Sequence, residues 1–82
     1  MMTYEELADL IDRIRSRRGG PRLADYRYDP VPYADAIIER ADVEGSLAGL
    51  SSEDRERLRA ELIRLGQADV EWIEGLKRLD YE

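Results

Sequence analysis

The chain has 82 residues, enough for one domain with one core and too few to divide. It contains no cysteine and no histidine, which excludes disulfides, thiol nucleophiles, Cys/His zinc centres, His-ligated haem and every His-based catalytic triad. Charged residues make up 39% and the net charge is −6, an excess carried by residues 29–54, where Arg40 alone faces Asp29, Asp35, Glu39, Asp42, Glu44, Glu53 and Asp54.

The large apolar set is 10 Leu, 6 Ile, 3 Val and 1 Trp, without phenylalanine. At roughly 1.5–3 kcal/mol for each buried side chain, this suffices for a small bundle with little margin after chain entropy. No apolar run approaches the length of a membrane span. Nor does the start, Met1-Met2-Thr3-Tyr4-Glu5-Glu6, resemble a signal peptide, so a cytoplasmic protein is expected.

Thr3 and Glu6 have the spacing of a capping box, and Leu7, Leu10, Ile11 and Ile14 follow at helical intervals. This first helix is expected to reach about Arg18, where Arg15, Arg17 and Arg18 oppose the negative end of its dipole. Gly19-Gly20-Pro21 then stops it. Residues 19–32 read as an irregular segment rich in Tyr and Pro, with a brief strand over 24–28 conceivable. Asp29-Pro30 can serve as N-cap and first residue of the next helix. That second helix is expected over about 32–43, with Ala34, Ile37, Ile38 and Ala41 on one side and Asp35, Glu39 and Asp42 on another.

Residues 45–50 form a short connector that tucks Leu47 and Leu50 inward, and Ser51 opens a third helix. Leu58, Leu62, Leu65, Asp69, Trp72, Leu76 and Leu79 then alternate by four and three, a heptad seam interrupted by Asp69. Two structures fit this pattern. Either one helix of about 28 residues turns its seam toward another chain, or the helix breaks near Gly66 and Asp69 caps a fourth. A helix-interior Gly costs about 1 kcal/mol relative to Ala and a buried lone Asp costs more, which tips the expectation toward the break. The fold class expected is therefore all-α, a single domain (1–82) formed by a small bundle of three to four helices.

Chemical motifs are sparse. Asp42, Glu44, Ser46 and Glu53 match positions 1, 3, 5 and 12 of an EF-hand loop, but Leu47 stands where the turn demands Gly, so no metal site is expected. Gly45-Ser46-Leu47 resembles the Asp-Ser-Leu attachment site of acyl-carrier proteins in Ser46 and Leu47, with Gly45 in place of the family's Asp. No phosphate-cradling loop precedes a helix, and Lys77 has no Ser-x-x-Lys partner because position 74 is Glu. Neither a cofactor nor a catalytic activity is expected.

Arg13, Arg15, Arg17, Arg18 and Arg22, with Arg27 between Tyr26 and Tyr28, could grip phosphate. The plainer reading has Arg15 to Arg18 finishing a helix and the others solvated or paired with the acidic third, so direct nucleic-acid binding is not expected. Two interaction surfaces remain. Asp35, Glu39 and Asp42 stack on one helix face, with a rise of about 6 Å between Asp35 and Glu39, comparable with phosphate spacing along a strand. With Glu44 and the contact area of Tyr26, Tyr28 and Tyr33, they could occlude a basic, nucleic-acid-handling protein, as an antitoxin-like or phage counter-defence inhibitor does. An ordinary solvated helix face accounts for the same stripe. The second surface is the seam itself: Leu58, Leu62, Leu65, Trp72, Leu76 and Leu79 could join two copies as a homodimeric assembly subunit, and a further alternative makes the chain an accessory subunit of a larger complex.

Overall fold

The computed structural model describes residues 1–80 and contains three α-helices: α1 (Tyr4–Arg15), α2 (Pro30–Val43) and α3 (Ser52–Asp80). A single 3₁₀ turn, Leu23–Tyr26, lies between α1 and α2, and no strand occurs among the described residues, including 24–28. No helix among these residues is long and apolar enough to cross a membrane.

The caps follow from local chemistry. The Thr3 hydroxyl accepts the Glu6 N–H at 3.1 Å while the Glu6 carboxylate accepts the Thr3 N–H at 3.0 Å, so the capping box forms as expected. Helix α1 ends at Arg15 rather than Arg18, because Ser16 turns its hydroxyl back on the Asp12 carbonyl and serves as the C-cap. Asp29 caps α2 by accepting the Val31 N–H at 3.0 Å, and Pro30 stands in the first turn, where its missing donor costs nothing. Helix α2 thus begins two residues earlier than the apolar spacing indicates. Ser51 accepts the Asp54 N–H at 3.1 Å and opens α3.

One apolar cluster holds the helices together: Leu7, Leu10, Ile11 and Ile14 of α1, Tyr33, Ala34, Ile37 and Ala41 of α2, and Leu58, Leu62 and Val70 of α3, closed by Leu23 and Leu47. Asp42 pairs with Arg55, Asp35 with Arg59, and Pro30 abuts Gly66, so α2 runs antiparallel along the first half of α3. Arg57 lies over the Tyr4 ring and Arg15 reaches Asp69, which sets α1 roughly parallel to the same stretch.

The break near Gly66 does not occur. Helix α3 is continuous for 29 residues, about 43 Å at 1.5 Å per residue, nearly the 49 Å long dimension of the molecule. A Cβ at Gly66 would lie 3.0 Å from Pro30 Cβ, so Gly there lets the start of α2 sit directly on α3. Asp69 caps nothing; it accepts a 2.6 Å hydrogen bond from Arg15. Both residues that argue locally for a break are accounted for by distant contacts.

Candidate functional site: the distal face of α3

The heptad seam divides in two. Leu58 and Leu62 are 0% exposed and belong to the core of this chain, so neither can meet a second copy, and Leu65 is half-buried beside them. Beyond Asp69 the seam emerges: Trp72, Leu76 and Leu79 are 68%, 43% and 67% exposed. At 3.6 residues per turn these three fall within an arc of about 60°, one continuous apolar stripe.

The neighbouring face of the distal helix is occupied by the chain itself. Val70 is buried, Ile73 is half-buried, and the Lys77 ammonium sits 5.0 Å from the centroid of the Tyr28 ring. The Tyr/Pro segment thus props one side of the distal helix and leaves the stripe on the other. Arg27 (φ 54°) and Tyr28 (φ 62°) both adopt the left-handed region, unfavourable for residues with a Cβ. The Tyr28 N–H bonds to the Leu23 carbonyl at 2.9 Å and the Asp29 N–H to that of Tyr26 at 3.0 Å, which fixes the bend that brings Tyr28 to Lys77.

Upstream of the stripe, a groove of about 610 Å³ separates α1 from α3, with Tyr4, Ala8, Ile11, Arg15, Arg64 and Leu65 among its walls. Leu65 is one heptad before Trp72, so groove and stripe share a face of α3. Arg15 lies at their junction. Burial works against its charge, and the Tyr33 hydroxyl and Asp69 outweigh this, raising its pKa further.

The acidic residues of α2 occupy a different face, and most are engaged. Arg55 donates both terminal nitrogens to the Asp42 carboxylate at 2.8 and 2.5 Å, and Arg59 donates to Asp35 at 2.7 Å. These hydrogen bonds hold both aspartates below the ordinary carboxylate pKa. Glu44 pairs with Arg17 and with Arg40. Glu39 stays exposed, Tyr26 is half-buried and Tyr28 is exposed, whereas Tyr33 is 7% exposed and belongs to the core.

The EF-hand-like residues are diverted in the same way, Asp42 to Arg55 and Glu44 and Ser46 to Arg17. Among the described residues no group of carboxylates is arranged to hold a metal ion. Arg15, Arg17 and Arg22 of the basic arm pair with Asp69, Glu44 and Asp25, and of these acids only Glu44 belongs to the acidic third.

One further ionic site escaped the sequence reading. Asp54, 6% exposed, accepts the Met2 N–H with both oxygens at 3.3 Å and is held by Arg57 at 3.1 Å. It ties the start of α1 to the start of α3, and only the separation of 52 residues hides it.

The fold is that of a small three-helix protein with an exposed apolar stripe on its longest helix. No family model matches the chain, and no curated protein or solved structure matches it significantly.

Proposed function

We propose that this protein is a non-catalytic assembly subunit that self-associates through the distal half of α3. The observation that carries the reading is the exposed Trp72–Leu76–Leu79 stripe on a helix that outruns the rest of the bundle. Large apolar side chains clustered on one face, rather than scattered, mark a surface that is covered in use. Trp is also the side chain most enriched at the energetic centre of interfaces.

Occlusion of a basic partner by α2 is less well supported. Asp35, Asp42 and Glu44 already have arginine partners within the chain, and a basic protein would have to displace them. Exposed pairs of this kind are weak, about 0–1 kcal/mol each, but they remove the uncompensated charge that such mimicry requires.

Sedimentation of the wild type and of Leu76→Glu at equal concentration tests the proposal. The wild type is expected at twice 9.5 kDa or more and the variant at 9.5 kDa, with helical content unchanged by circular dichroism. A folded Leu76→Glu protein that keeps the wild-type assembly state would refute it.

A further inference from the structure

We infer that the distal stripe takes a second copy of this chain in antiparallel orientation, with the two-fold axis crossing α3 between Glu74 and Gly75. The inference rests on the self-association proposed above and specifies its geometry and the residues that select it.

Three features of α3 favour this orientation. First, charge changes sign along the exposed segment: Asp69, Glu71 and Glu74 precede Lys77 and Arg78, and Asp80 follows them. Antiparallel pairing brings Glu71 of one helix to Arg78 of the other, whereas parallel pairing in register sets Glu71 beside Glu71 and Arg78 beside Arg78. Second, only one shoulder of the stripe is free, because the other carries Ile73, which is half-buried, and Lys77, whose ammonium lies over the Tyr28 ring of the same chain. The free shoulder carries Ala68 and Gly75, seven residues apart, with Glu71 and Arg78 just outside them and both exposed. An axis between positions 74 and 75 places Glu71 against Arg78 of the second copy, twice by symmetry, and Trp72 against its Leu76.

Third, Gly75 has no need to be glycine within one chain. A Cβ there would meet nothing within 4 Å, in contrast to Gly66. A helix-interior Gly in open space costs about 1 kcal/mol relative to Ala. Next to the axis, the missing side chain allows the two helices to approach closely. The overlap runs from Asp69 to the end of the helix, about 18 Å at 1.5 Å per residue, so the dimer is small and concentration-dependent.

Charge swapping and cross-linking provide the test. Glu71→Arg and Arg78→Glu are each expected to weaken the dimer about fivefold or more, through two symmetric exposed pairs. The Glu71→Arg/Arg78→Glu double variant should return to within about twofold of the wild type. Because the chain has no cysteine, a single one reports proximity directly. Gly75→Cys, beside the axis, should oxidise to a linked dimer. Leu79→Cys should not, because two copies of that position lie about 13 Å apart along the axis, beyond the reach of a disulfide. Additive losses in the double variant, or efficient linkage through Leu79→Cys, would overturn the antiparallel arrangement while leaving self-association standing. A wild type that stays monomeric at every concentration would overturn both.

Discussion

Gly66 and Gly75 occupy the same helix under different constraints. A Cβ added at Gly66 would lie 3.0 Å from Pro30 Cβ, so a methyl group there must displace the start of α2 slightly. Gly75 faces open space. In the monomer, Gly75→Ala is expected to raise stability by about 1 kcal/mol through helix propensity. Gly66→Ala should fall short of that gain by at least about 1 kcal/mol, because overpacking opposes it. Urea midpoints of the two variants at low protein concentration check this, and equal gains would show that the Pro30 contact yields freely. Asp54 supplies a second residue-scale prediction. Burial works to raise its pKa, but the Met2 N–H, Arg57, Ser51 and the N-terminal charge together hold it below the ordinary value. A lowered carboxylate contributes its stabilisation fully above the unfolded pKa of about 3.9 and loses it as the pH falls through the folded value. Asp54→Asn should therefore lower stability at neutral pH and flatten its decline below about pH 4. A decline as steep as that of the wild type would assign the acid sensitivity to other carboxylates.

Helix α3 performs two tasks along its length. Its first half completes the core through Leu58 and Leu62, and its second half carries the stripe. Leu62→Ala should cost about 2–5 kcal/mol, a large share of the roughly 5–15 kcal/mol typical of a domain. Leu76→Ala should stay within about 0.5 kcal/mol in the monomer while weakening association. Denaturant titration of both variants separates the two halves; a large folding defect in Leu76→Ala would place that residue in the core. Much of this element was legible in the sequence. Ser51, the first-turn acids and the four-three spacing set its start and the position of its apolar face. Its continuity through Gly66 was not, because the reason for a glycine there is Pro30 of another helix. Asp69 likewise resembles a cap until Arg15, distant by 54 residues, is brought beside it. The acidic stripe was legible as a pattern, but its arginine partners lie 13 and 24 residues away on α3, and spacing within one helix carries no information about them.

At the scale of the molecule, a long helix extends past a compact bundle, and the extents of 49 × 24 × 18 Å reflect that projection. Part of the charge of the body is paired within it, by ion pairs linking α2 to α3 and the connector after α1 to the end of α2. The apolar end of α3 is exposed, and the proposed self-association runs through it. Trp72 is the only tryptophan and opens that stripe, so its emission reports on cover at this site and nowhere else. The most direct test is Trp72 emission followed on dilution of the wild-type protein, with the mass in solution recorded in parallel. A shift to longer wavelength as the protein is diluted, coincident with the fall in mass to one chain, is the result expected. Emission that remains that of a water-exposed indole at every concentration, with a constant mass of 9.5 kDa, would contradict self-association through the distal face of α3.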